Sequence, residues 1–164
     1  MKYPPITLEL LRSKKACQSQ LVLFQKYFGD SPVTLTEEIF TKFSSKFDIS
    51  WASRNLLYLK DLTEYLKVRD TAYAVYEKVR DAYWSEYLKV TAPTWDEYNE
   101  ALVEEYEKVR GWDYSEYQKV RDAAWDEYQK VSEPASAKYK KVIEPAYAEY
   151  HKVNALTFLK LYTA

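Results

Sequence analysis

At 164 residues, the chain suits one ordinary domain, or a small domain joined to an extended element. Its 47% apolar and 17% aromatic content, with 17 Tyr, excludes a disordered tail, although 30% charge keeps it well solvated. A net charge of −1 lacks both the basic excess of a duplex binder and the strong acidity of a nucleic-acid mimic. Neither side of Arg54 is extreme, with eight Lys/Arg against five Asp/Glu up to it and 16 against 20 after it.

Residues 1–54 read as a compact helical head. Ser13 is placed to cap a helix through LVLFQKYF, which Gly29 stops in a backbone region that only Gly enters cheaply. Ala16, Leu21, Leu23, Phe24 and Phe28 give that helix a wide buried face. After the GDSPV loop, Thr34-Leu-Thr-Glu37 fits a capping box, and Ile39, Phe40, Phe43 and Phe47 form an apolar stripe. Asp48 or Ser50 can cap a further helix that starts near Trp51. Three short helices leave a small core, so the head is expected to lean on the remainder of the chain.

Residues 55–164 are a repeat-bearing arm. A Tyr opens each unit at 65, 76, 87, 98, 106, 117, 128, 139 and 150, and every step is eleven except the eight between Tyr98 and Tyr106. A unit reads Glu-Tyr-x-Lys-Val-Arg-Asp-x-Ala-Trp-x, with Tyr often replacing Trp. Eleven residues make three turns at about 3.67 residues per turn, close to the helix's own 3.6, so one stripe stays aligned in a hendecad coiled-coil pattern. Tyr, Val and Ala fall at positions two, five and nine, within about 65° of one another around the helix. The Trp or Tyr at position ten flanks that stripe.

The polar positions agree with a helix. Glu116 and Lys119, Glu127 and Lys130, and Glu149 and Lys152 stand three apart, with Lys119 and Asp122 continuing the ladder; each pair is worth about 0.2–0.5 kcal/mol. Pro93, Pro134 and Pro145 share position eight, where a proline removes a helical hydrogen bond and costs ~3 kcal/mol. Thr94-Trp-Asp-Glu97 fits another capping box, Ser132 precedes Pro134, and Gly111 before Asp113-Tyr-Ser-Glu116 reads as a stop and restart. Two arrangements fit these signals. One is a long helix bent repeatedly on one face. The other has breaks near 91–94 and 110–113 that fold the helices back as a bundle. The eight-residue step between those breaks turns the stripe by about 80°, which favours a reversal there.

The residue types leave little room for chemistry. Cys17 is the only cysteine, which rules out an intrachain disulfide and suits a reducing compartment; it reads as a small apolar residue on a helix face. His151 is the only histidine, so multi-His metal sites are excluded and Ser/His or Cys/His relays weakened. No Glu-x-x-His pair and no Gly-rich phosphate loop exists, and nothing marks one acid pair above the rest. The expectation is therefore a non-enzyme with no catalytic, cofactor-binding or metal residues and no cofactor. Repeat tyrosines ~16 Å apart along a helix cannot stack successive bases, which argues against direct nucleic-acid binding. No window approaches 18 uninterrupted apolar residues, and MKYPPITLELLRSKK lacks the pattern of a signal peptide. A soluble, cytoplasmic protein without a membrane partner is expected.

ACQSQLVLFQKYFGDSPVTLTEE, then FDISWASRNLL, then the EYxKVRDxA repeats resemble a group of uncharacterised bacterial and phage-borne proteins. Those proteins share a short helical head with an Ala-Cys start, a Trp-Ala…Asn-Leu-Leu joint, and a variable number of Glu-Tyr-x-x-Val-Arg elevenmers. The resemblance covers most of the chain and implies architecture and setting rather than a chemistry. Its phage setting implies a host-interaction or anti-defence role.

The sequence thus predicts an all-α protein, with a helical head over 1–54 and an 11-residue-repeat helical arm over 55–164, elongated or folded back as a helical bundle. The packing and self-association seam is Tyr65, Val68, Tyr76, Val79, Tyr87, Val90, Tyr106, Val109, Tyr117, Val120, Ala124, Tyr128, Val131, Tyr139, Val142, Tyr150 and Val153. A scaffold, spacer or protein-interaction module is expected, with protein partners that include a second copy of itself and an open oligomeric state. The alternative is a phage-type inhibitor that occludes a host defence or nucleic-acid-processing complex.

Overall fold

A computed structural model describes residues 3–108 and 114–164 of the chain. The all-α class expected from the sequence is the one found. Four short helices come first: α1 (Leu8–Ser13), α2 (Gln18–Phe28), α3 (Glu37–Phe43), followed by a 3-10 turn at Ser44–Lys46, and α4 (Ile49–Leu56). Two long ones complete the chain, α5 (Leu59–Lys108) and α6 (Tyr114–Thr163). Among the described residues the one β-type pairing is an antiparallel bridge between Ile6 and Val33, with both backbone bonds at 2.8 Å.

Local chemistry explains where the short helices start and stop, and corrects two expectations. Ser13 caps nothing. It ends α1, a helix capped by Thr7, and its hydroxyl donates to the Leu10 carbonyl. A turn with Lys15 at φ 60° separates α1 from α2, whose cap position is Cys17. Gly29 ends α2 at φ 65°, as its freedom in that region predicts. The cap of α3 is Thr36 rather than Thr34, because its hydroxyl is the one that accepts from Ile39 N (3.2 Å). Asp48 caps α4 through Trp51 N at 2.8 Å, as expected.

The expected break near 91–94 is absent. Helix α5 runs through Pro93, and α6 runs through Pro134 and Pro145. Position eight faces solvent, and all three prolines are exposed, so the carbonyls they leave unbonded can reach water. Thr94 does not cap a new helix. Its hydroxyl donates to the Thr91 carbonyl (3.0 Å) and that of Thr91 to the Tyr87 carbonyl (2.9 Å), both within α5. The stop and restart expected at Gly111 and Asp113 lies outside the described residues.

The chain forms two compact units. The first takes in Met1–Ala74 and Ala148–Ala164, so the head is completed by the near part of α5 and the end of α6. Its core holds every buried hydrophobic side chain among the described residues, including Leu11, Phe24, Phe40, Leu56, Tyr65 and Phe158. Phe158 of α6 stacks on Phe40 of α3 at 6.1 Å and lies 5.4 Å from Tyr162. Each such ring contributes roughly 1.5–3 kcal/mol by leaving water. Tyr3 sits between Tyr58 (4.5 Å) and Tyr162 (4.7 Å) in a stack of three rings. Its hydroxyl donates to buried Asp61 and accepts from Tyr58 N at 2.7 Å, while the Tyr162 hydroxyl donates to the Pro4 carbonyl at 2.8 Å.

The second unit, Val75–Tyr147, is an antiparallel pair of helical segments. Trp84 meets Tyr139 at 5.7 Å; eleven residues on, Trp95 meets Tyr128, eleven residues back, at 5.3 Å. Tyr98 meets Trp125 at 5.6 Å, so Trp95, Tyr98, Trp125 and Tyr128 form one cluster of four rings. Ser136 holds the repeat position of Trp125 and Tyr147, and the next cluster has only Trp84, Tyr87 and Tyr139. Tyr106 stands eight residues past Tyr98 but eleven past Trp95. It joins the line of Trp84 and Trp95 and is 76% exposed. The 80° turn read from the sequence is thus a change of lane within one unbroken helix.

Tyr3→Phe should lower stability by about 1.5–3 kcal/mol, since it removes the hydroxyl that donates to buried Asp61 and accepts from Tyr58 N. Tyr65→Phe should cost little or be stabilising, because among the described residues no group meets the buried Tyr65 hydroxyl in hydrogen-bond geometry. Urea unfolding of both variants checks this, and equal losses would contradict the assignment. Alkaline titration tests the same cluster. Burial first, then the bond to Asp61, push Tyr3 up to about 12, and burial pushes Tyr162 to about 12, against an ordinary 10.0. Both hydroxyls hold their protons where unfolded tyrosine has lost them. Their stabilisation is complete below pH 10 and lost as pH rises through 12. Phenolate absorbance should show these two groups ionising last, together with unfolding.

Candidate functional site

The first unit contains an apolar cavity of about 80 Å³. Helix α2 supplies Phe24 and Phe28, α3 supplies Ile39, Phe40 and Phe43, α4 supplies Trp51, Ala52 and Leu56, and Phe158 comes from α6. The only lining residues with polar side chains, apart from Trp51, are Gln20, Ser44 and Asp48. Two of these are held in place: Gln20 Oε1 accepts from Asp48 N (3.0 Å), and Asp48 Oδ1 accepts from Trp51 N. Phe28 contacts Phe43 at 5.0 Å and Phe47 at 6.1 Å, with Tyr27 5.0 Å from Phe43, so one wall is a fixed aromatic cluster. Such a void binds by contact and exclusion of water, which suits an apolar group that carries no charge.

The seam residues divide between the units. In the first, Tyr65 is fully buried, at 1% exposure, while Val68, Tyr150 and Val153 are half-buried. Tyr150 contacts Tyr73 at 5.5 Å and His151 at 5.3 Å, and His151 is exposed. In the second, Tyr76, Val79, Tyr87, Tyr117, Val120, Ala124, Tyr128, Val131, Tyr139 and Val142 are half-buried, whereas Val90 and Tyr106 are exposed. Val109 lies outside the described residues. The structure brings Tyr87 to Tyr139 at 6.1 Å and Tyr76 to Tyr147 at 5.5 Å. Burial, then the nearby Tyr128, push the Tyr87 hydroxyl above its ordinary value. An open groove of about 570 Å³ runs along the valine side, walled by Tyr87, Val90, Val131, Pro134, Ala135 and Tyr139. Lys138 and Glu86 pair across it at 3.5 Å.

The charged positions are surface pairs. Glu116–Lys119 (3.0 Å), Glu127–Lys130 (2.5 Å) and Glu149–Lys152 (3.4 Å) form as the spacing predicts. The Val-Arg-Asp of the repeat makes a neighbour pair each time it is described, as in Arg69–Asp70, Arg80–Asp81 and Arg121–Asp122. Among the described residues, no group of His, Cys, Asp and Glu could hold a metal ion, and no helix is long and apolar enough to cross a membrane.

Sequence reasoning missed the cavity and the Tyr3–Tyr58–Asp61–Tyr162 cluster. A signal was available: NALTFLKLYTA departs from the repeat, and its Phe158, Leu159 and Tyr162 all join the core. Cys17 also needs correction. It is exposed at the cap position just before α2, 3.2 Å from the Ser19 hydroxyl, rather than on a helix face. That bond, with the Gln20 amide next, holds its thiol below the ordinary value. The folded chain should therefore take up one equivalent of iodoacetamide without denaturant, at a rate that persists below the usual thiol range. Labelling that requires unfolding would contradict the placement. No protein-family model, no curated protein and no solved structure matches the chain.

Proposed function

We infer that the chain is a non-enzymatic helical scaffold whose first unit is a protein-interaction module. The observation that carries this reading is the cavity bounded by Phe28, Phe40, Phe43 and Ala52, an apolar void beside a fixed aromatic wall. A partner would insert one aromatic or branched aliphatic side chain there, as an anchor residue fills a pocket at a protein interface. Asp48 is the one carboxylate on the lining, and its oxygen is engaged in capping α4. Contact and desolvation then supply the binding, and the surrounding surface sets which partner fits.

Filling the void tests the reading. Ala52→Leu adds apolar volume from α4 into the cavity. It should keep the fold, raise or leave unchanged the melting temperature, and remove the stabilisation that saturating benzene gives the natural chain. The same variant should lose a partner that the natural chain captures stoichiometrically from a bacterial lysate. Equal capture by both chains would overturn the cavity as the docking point. Recovery of a host defence or nucleic-acid-processing complex would favour the phage-type inhibitor acting by occlusion.

A further inference from the structure

We propose that the aromatic side of the second unit is a homotypic interface, covered by the same side of a second copy of this chain. This goes beyond the head's role as an interaction module and stands on different residues. Among the described residues of Val75–Tyr147, none of the hydrophobic side chains is buried, and Thr91 alone is buried at all. Trp84 (47%), Trp95 (43%), Trp125 (39%) and Tyr147 (49%) keep large ring areas in water. A pair of helices cannot enclose such rings, since every contact between them has two open edges.

Those rings lie on one side. Trp84, Trp95 and Tyr106 recur every eleven residues, three turns, and so share one lane of α5; Trp125 and Tyr147 share the matching lane of α6. The ring contacts are reciprocal: Trp95 meets Tyr128 as Trp125 meets Tyr98. Reciprocity between antiparallel segments is a two-fold relation about an axis normal to the plane of the pair. Such an axis exchanges the helices without exchanging front and back.

Three observations point to a second copy as the occupant. The first is charge. Between and beside the rings this side presents Leu88, Asn99, Gln118, Gln129 and Ser132, with buried Thr91 beneath them; the same repeat positions carry Glu77, Arg80, Arg121 and Lys140, of which Arg80 and Arg121 are bonded to Asp81 and Asp122. Nucleic acid or an acidic peptide meets no strong basic field there, whereas a second surface of the same mixed, nearly neutral composition meets no net repulsion. The second is area. From Trp84 to Tyr106 this side runs about 33 Å along α5 and is two helices, about 20 Å, wide, on the order of the 800 Å² that a stable dimer needs from each partner. The third is period. Ring clusters recur every ~16 Å, with a trough at Leu88, Thr91 and Ser132 between them, so a matching surface must repeat at the same interval. A second copy does.

Sedimentation equilibrium of the full chain at micromolar concentrations tests the proposal. The expected mass is twice that of the chain, and a monomer throughout would overturn it. Trp95→Lys with Trp125→Lys should give a monomer. Those rings also join the two helices of one copy, so Leu88→Glu, which alters none of the ring contacts, gives the cleaner reading. It should weaken dimerisation about a hundredfold or more while leaving the helical circular dichroism unchanged. Val90→Glu, about 160° around α5 from Leu88, should leave the dimer intact. A dimer that survives Leu88→Glu, or that dissociates with Val90→Glu instead, would refute the assigned face.

Discussion

A buried carboxylate governs how the first unit closes. Asp61 lies in the first turn of α5 and is almost wholly removed from water, where an unpaired charge would cost several kcal/mol. Tyr3 meets that demand, and its hydroxyl also accepts from the Tyr58 amide beside the start of α5. The same ring stacks on Tyr162 near the end of α6, whose own hydroxyl returns to Pro4. One phenol therefore ties an extended segment to the beginning of one long helix and the last turns of the other. Phe158, Leu159 and the short helices pack around a frame whose corners are fixed by these bonds.

The repeat was legible because its information is local and periodic. Eleven-residue spacing keeps side chains on one helix face whatever surrounds them, and the Glu–Lys pairs at spacing three formed where read, whereas Asp122, expected to continue the ladder from Lys119, pairs with its neighbour Arg121. The Tyr106 step was legible for the same reason. Caps were harder. Asp48 was readable because an acid directly precedes an apolar-periodic segment, but Thr34 and Thr36 are both hydroxyls before the same helix, and only packing selects the second. Pro93 misled because a proline's cost depends on which way it faces, and an exposed proline can be outweighed by ring contacts on the opposite side. The hydrogen bonds of Tyr3 and Tyr162 carried no local signal, although the departure of NALTFLKLYTA from the repeat marked Tyr162 as different. Their partners lie 58 and 158 residues away, and no spacing rule spans such a distance.

The two units solve the same energetic problem differently. The first seals phenylalanine and leucine side chains in a continuous core with a small apolar void beside its aromatic wall. The second spreads tyrosine and tryptophan along a seam, where each ring is covered on one side and wet on another. Tyr is suited to that placement, since its ring gains from burial while its hydroxyl gains from water. Within one chain, fold stability is thus concentrated in the first unit, and the surface available for association is concentrated in the second.

The opposed elevenfold steps of Trp84–Tyr139 and Trp95–Tyr128 act as a ruler with fixed divisions. Removing one unit from α5 alone would leave α6 longer by three turns, about 16 Å, although every ring could still find a ring of its own kind. Removing one unit from each helix together would shorten both by the same length and return every cluster to its partner. Growth or loss of this segment is therefore constrained to paired elevenmers. A lineage can retune the reach of the second unit in even increments while the Tyr3–Asp61 closure of the first stays untouched.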